Sequence, residues 1–121
     1  PGDFLATSRF IRALIISRNA PTNLSSAEQV GTAFHLLRQF DLPPGSVGIP
    51  PGGAFGGGSS KPTYEITEWS VVADQKNGTY SITTFENPDL RQLRFADLPL
   101  SGGEIKVMPL NQSQQITTLQ P

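Results

Sequence analysis

Residues 67–87, TEWSVVADQKNGTYSITTFEN, decide the fold class, because two runs rich in β-branched and aromatic residues flank the pair Asn77-Gly78. Asn-Gly between two such runs is the strongest short-range signal of a β-hairpin, since both residues tolerate the positive φ of a tight turn. Alternation predicts one shared face on the first strand, formed by Trp69, Val71 and Ala73, and one on the second, formed by Tyr80, Ile82 and Thr84. Asp74 is predicted to cap the turn with its carboxylate.

The sequence after the hairpin predicts further short antiparallel strands. Asn87-Pro88-Asp89 is a turn, and residues 90–95 are a candidate third strand. A second turn at Ser101-Gly102-Gly103 precedes a possible edge strand over 104–110. The polar tail over residues 111–121 is expected to be poorly ordered.

The clearest helix upstream of the hairpin starts at the capping box Ser25-Ser26-Ala27-Glu28. Apolar residues follow at helical spacing, and Pro43-Pro44 ends the pattern. The sequence therefore predicts a helix over residues 27–40.

An earlier helix is predicted over residues 8–18, with Thr7 or Ser8 as its N-cap. Phe10, Ala13, Leu14 and Ser17 fall on one stripe, while Arg9 and Arg12, three residues apart, share a different face. Several β-branched isoleucines also fit a strand, so that alternative stays open here.

Residues 44–62 are dominated by Gly and Pro and show neither helical nor strand periodicity. They predict an irregular or flexible loop, longer than compact domains usually carry. A phosphate-binding loop is disfavoured, because such a loop follows a strand, ends in Lys-Ser/Thr and opens a helix.

The resulting order is helix, helix, glycine-rich loop and then three or four antiparallel strands. This order predicts an α+β domain in which two helices cover one face of an antiparallel meander. The 121 residues suffice for one small domain.

Composition narrows the classes of function. The net charge is −1 with no basic run, so nucleic acid is not expected as a partner. The longest apolar run, residues 13–16, is too short to span a membrane. A membrane is therefore not expected as a partner. No cofactor motif or metal-ligand spacing is present. The chain contains no cysteine, so it carries no thiol nucleophile.

Three residues are candidates for chemistry. His35, the single histidine, lies on an amphipathic helix, where a structural or surface role outweighs a catalytic one. A long cation in an apolar helix start must reach water or meet a buried anion. We interpret Arg12 as a surface or packing residue and Arg9 as the candidate that faces a site. A guanidinium beside a thiol lowers the thiol pKa, yet that thiol would have to lie outside this chain.

Four segments, read together, resemble the C-terminal part of the choloylglycine hydrolase family, which includes penicillin V acylases and conjugated bile salt hydrolases. They are PGDF followed by SRFIRA, then AFHLLRQFDLPPG, then TEWSVVADQKNGTYSITTFEN and finally GGEIKVMPL. The resemblance covers residues 1 to about 110. It implies that residues 1–121 are the C-terminal portion of a single domain with an αββα N-terminal nucleophile hydrolase fold.

The resemblance also implies an amidase that cleaves linear C–N bonds. The nucleophile is then a cysteine at the mature N-terminus, upstream of Pro1, with its own α-amine as base. The one catalytic residue that the match carries over to this chain is Arg9, in SRF. The implied partners are the N-terminal portion of the same enzyme and a small-molecule amide, and we expect the parent enzyme to form a homo-oligomer.

Two interpretations compete. In the first, the chain is part of an amidase and is inactive alone; in the second, it is a non-catalytic α+β binding or structural module. An exposed apolar sheet face favours the first. Three substrates stay open: penicillin V, a bile-acid conjugate and an acyl homoserine lactone. The location also stays open between the bacterial periplasm and the bacterial cytoplasm.

Overall fold

The computed structural model describes residues 3–51, 63–99, 101–103, 105–110 and 112–120. The chain divides into two compact units, Pro1–Thr67 and Glu68–Pro121. The first unit carries both helices and a two-stranded sheet, and the second a three-stranded antiparallel sheet. Among the described residues, no helix is long and apolar enough to cross a bilayer.

Helix α2 spans Ser26–Leu37 and begins with the predicted capping box. The Ser25 hydroxyl accepts from the Glu28 N–H at 3.4 Å, and the Glu28 carboxylate accepts from the Ser25 N–H at 2.8 Å. Hydrogen bonds from the Ser25 side chain and then its backbone lower the pKa of Glu28 below its ordinary value. The predicted end at residue 40 is corrected, because the last turn tightens into a 3-10 helix over Arg38–Phe40.

Helix α1 spans Ala6–Arg18, which excludes the strand alternative. It begins two residues earlier than predicted, and its N-cap is Leu5, so the prediction of Thr7 or Ser8 as N-cap is wrong. Asp3 supplies the missing acceptor, because its Oδ1 accepts from the Leu5 N–H at 2.9 Å. This bond, followed by one from the Ser8 hydroxyl, lowers the pKa of Asp3.

Short strands flank the Gly/Pro segment. Strand β1, Gly48–Ile49, pairs antiparallel with β2, Thr63–Tyr64. Residues 48–49 therefore correct the prediction of a wholly irregular stretch over 44–62, while residues 52–62 of that prediction lie outside the described residues. The pairing joins positions fifteen or so apart, and two-residue strands leave no periodicity to detect.

The second unit contains the predicted hairpin. Strands β3, Trp69–Asp74, β4, Thr79–Thr84, and β5, Arg91–Arg94, form an antiparallel sheet in the order β3-β4-β5. In the turn, the Asp74 carboxylate accepts from the Asn77 N–H at 3.0 Å and from Asn77 Nδ2 at 2.7 Å. Gly78 has φ +62°, which glycine adopts without strain.

The register places both predicted strand faces on one side of the sheet. Trp69 lies opposite Thr84, Val71 opposite Ile82, and Ala73 opposite Tyr80. The predicted fourth strand over 104–110 is wrong for the described residues 105–110, which form no strand. Disorder of the tail over 111–121 stays a prediction.

Candidate functional site

Arg9 lies in the first turns of α1, where its N–H donates to the Leu5 carbonyl at 3.0 Å. Its side chain is half-buried. No described residue accepts a hydrogen bond from its guanidinium. The Arg9 guanidinium is therefore free of hydrogen bonds to the described side chains, and it is available to an anion supplied from outside the described residues.

Arg12, one turn further along α1, is also half-buried but is held by contacts within the first unit. Its Nη2 donates to the Asp3 carbonyl at 3.3 Å, and its Cζ lies 5.7 Å from the centroid of the Phe40 ring. That distance is within the range of a cation–π interaction. Arg12 therefore makes packing contacts within the first unit, while its effect on activity stays a prediction.

The two faces of α1 are arranged in an unusual way. Both arginines lie on its less exposed face, together with Ser8 and Ile16. Large apolar side chains of this segment are 40–68% exposed, namely Leu5, Phe10, Ile11, Leu14 and Ile15. A helix normally buries its apolar stripe, so this surface is suited to contact with further polypeptide.

His35 is exposed on α2, as the surface interpretation predicts. Among the described residues, no group of three or more His, Cys, Asp or Glu side chains lies close enough together to hold a metal ion.

A second polar cluster, which no motif in the sequence signals, lies where β4 leads into β5. Asn87 is only 3% exposed, and its Nδ2 donates to the Gln112 carbonyl at 2.7 Å. Asp89 Oδ2 accepts from the Gln115 N–H at 2.7 Å. Arg91 donates from Nη1 to the Leu110 carbonyl and from Nη2 to Thr84 Oγ1 at 3.1 Å. Two side chains of the turn and one at the start of β5 thus hold the backbone at Leu110, Gln112 and Gln115.

These side chains line an open pocket of about 380 Å³, formed by Asn87, Asp89, Leu90, Arg91, Gln112, Ser113, Gln115 and Thr117. The amide, carboxylate and guanidinium groups are already engaged with backbone groups of the chain itself. The cluster is therefore a structural clamp on an extended segment, and Arg9 remains the candidate for chemistry.

Replacing Asn87 with Ala is expected to lower the free energy of unfolding by about 1–3 kcal/mol. The change removes two part-buried hydrogen bonds of the Asn87 amide, one to the Gln112 carbonyl and one from the Asp89 N–H, and the net loss is about 0.5–1.5 kcal/mol for each bond. The matched control is Asn23→Ala, at an exposed asparagine, with an expected change within about 0.5 kcal/mol. Denaturant unfolding measures both. Equal effects of the two substitutions would contradict a clamping role for Asn87.

The described helices and antiparallel sheets define an α+β fold. The model superimposes on crystal structures of conjugated bile acid hydrolase from Clostridium perfringens, one of a mutant form with a TM-score of 0.73 at 23% identity. That match covers 99% of this chain and 33% of the bacterial one. A second variant of the same enzyme gives a TM-score of 0.71 at 24% identity. The fold-class prediction is confirmed.

The family model of linear amide C-N hydrolases, choloylglycine hydrolase family, matches residues 1–108. The chain belongs to this family. An uncharacterised protein of Paramecium bursaria Chlorella virus 1 is 31% identical over 93 residues. The bile salt hydrolase/transferase of Bifidobacterium longum is 29% identical over 105 residues, and that of Lactiplantibacillus plantarum is 25% identical over 115.

The chain spans about a third of the length of these relatives. The match with the viral protein covers 77% of this chain and 32% of that protein. The match with the Bifidobacterium longum enzyme covers 87% of this chain and 30% of that enzyme. For the Lactiplantibacillus plantarum enzyme the two shares are 95% and 32%.

Proposed function

We propose that this chain is the C-terminal portion of a linear amide hydrolase whose cysteine nucleophile lies in a preceding portion of the same parent enzyme. The observation that carries the proposal is Arg9, a half-buried residue of the SRF segment whose guanidinium has no acceptor among the described residues. A cysteine thiolate is an anion that such a guanidinium would stabilise.

The chemistry follows the logic of an activated nucleophile. The terminal α-amine of the cysteine accepts the thiol proton, and the thiolate attacks the carbonyl carbon of the amide. The amine product leaves with a proton, and water then hydrolyses the thioester to release the acid. Arg9 contributes by favouring the thiolate over the thiol, which lowers the pKa of the nucleophile.

The sheet of the second unit supports a partner polypeptide over an independent module. Trp69 is 58% and Tyr80 36% exposed, on the face they share. The described apolar side chains that are buried, Val30 and Phe34, both belong to the first unit. A three-stranded sheet needs an apolar face packed against something to be stable. This face therefore favours a chain that folds together with a further portion of the parent.

The proposed substrates are conjugates in which an acyl group is joined to an amine by a linear amide. The relatives from Bifidobacterium longum and Lactiplantibacillus plantarum are named bile salt hydrolase/transferases. A bile-acid conjugate is therefore the first substrate to test, with penicillin V as the second.

The proposal is tested by the intact mass of the natural protein, measured under native and denaturing conditions with and without thiol alkylation. We expect the 121-residue sequence to occur either within a polypeptide about three times its 13.0 kDa or in a stable complex with a separate segment. Either species should carry an alkylatable N-terminal cysteine. A natural protein of 13.0 kDa, alone or associated only with copies of itself, would contradict the proposal, because the sequence has no cysteine.

A further inference from the structure

The guanidinium of Arg12 connects two segments that are distant in sequence. It donates to the Asp3 carbonyl at 3.3 Å on one side and lies over the Phe40 ring, 5.7 Å from its centroid, on the other. Asp3 precedes α1, and Phe40 closes the 3-10 turn that follows α2. Arg12 therefore links the start of α1 to the end of α2.

The contact with Asp3 continues along a short chain of hydrogen bonds toward Arg9. Asp3 Oδ1 accepts from the Leu5 N–H at 2.9 Å, and the Leu5 carbonyl accepts from the Arg9 N–H at 3.0 Å. The position of Asp3 thus sets where the first turn of α1 begins, and that turn carries Arg9. No side chain of the N-cap residue performs this task.

We propose, on the basis of the proposed function, that Arg12 is a positioning residue that acts through Arg9. It holds the first turn of α1 in place so that the Arg9 guanidinium stays at the nucleophile. A planar guanidinium can stack on a ring and donate a hydrogen bond at the same time, which an ammonium group does less well. The Arg12 Nε is buried without an acceptor among the described residues, a cost that an aliphatic packing residue would not carry.

The kinetic test uses the parent enzyme with a bile-acid conjugate. Arg12→Ala is expected to lower kcat about tenfold with little change in KM, because it loosens Arg9 without removing a substrate contact. Arg12→Lys should recover part of this loss, since it keeps the charge near Phe40. The matched control is Arg18→Ala, an exposed arginine in the last turn of α1, with wild-type kinetics.

A double-mutant cycle separates positioning from general stability. If Arg12 acts through Arg9, the Arg9→Ala/Arg12→Ala enzyme should be about as slow as Arg9→Ala alone. A structural role independent of Arg9 would multiply the two losses, and that result would overturn the inference.

Amide hydrogen exchange provides a readout that does not need turnover. Arg12→Ala should speed exchange at the Leu5 and Arg9 amides about tenfold while leaving the Asn19 amide, at the other end of α1, unchanged. Unchanged exchange at Leu5 and Arg9 would overturn the inference, as would faster exchange with unchanged kcat. A wild-type parent without turnover would overturn the proposed function instead, and the exchange data would still decide whether Arg12 holds the start of α1.

Discussion

Replacing Arg9 with Ala in the parent enzyme is expected to lower kcat/KM about a hundredfold, which corresponds to a loss of about 2.7 kcal/mol of transition-state stabilisation. Under the proposed function the guanidinium favours the thiolate form of the nucleophile, so its removal should raise the thiol pKa. Arg9→Lys keeps the charge but loses the planar fork, and it should fall between Arg9→Ala and the wild type.

The pH–rate profile shows in which direction the thiol pKa changes. The reactive species is the thiolate, so a raised thiol pKa moves the rise in kcat/KM to higher pH. The loss caused by Arg9→Ala should therefore be largest at low pH and shrink as the pH passes the new pKa. Arg18→Ala is the matched control, and thermal unfolding shows whether each variant is folded. A folded Arg9→Ala enzyme with unchanged rate and unchanged thiol pKa would show that Arg9 does not face the nucleophile.

Local signals in the sequence were sufficient for much of the fold. The Asn77-Gly78 turn with Asp74 before it predicts the β3–β4 hairpin, because both the positive φ and the cap are encoded within a few residues. The capping box at Ser25 and Glu28 predicts the start of α2 for the same reason. These features depend on neighbours in sequence, so no knowledge of the tertiary structure is needed.

Features that depend on distant residues could not be predicted in this way. The clamp at Asn87 joins residues 25 positions apart through a side-chain amide and a backbone carbonyl. The Asn-Pro-Asp turn signalled a change of direction but not the segment that it holds. The pairing of β1 with β2 depends in the same way on contacts across the Gly/Pro segment.

The candidate site shows the same division. The prediction that Arg9 is a catalytic residue came from a resemblance in short motifs. The structure adds that Arg9 is half-buried and that its guanidinium has no acceptor among the described residues. The start of α1 at Ala6 rather than residue 8 came from Asp3, whose capping bond reaches across two residues. The contact of Arg12 with Phe40 joins two helical segments, and periodicity within one segment does not reveal it.

Amide hydrolysis by the parent enzyme and by the isolated chain is the most direct test of the account. Each is incubated with glycodeoxycholate and with penicillin V, and the released amine and acid are measured by mass spectrometry. We expect the parent to release product from at least one substrate and to lose this activity when its thiol is alkylated. The isolated chain should release none above buffer, because it contains no thiol. Turnover by the isolated chain that survives repurification, or a folded parent inactive on every linear amide offered, would contradict the account.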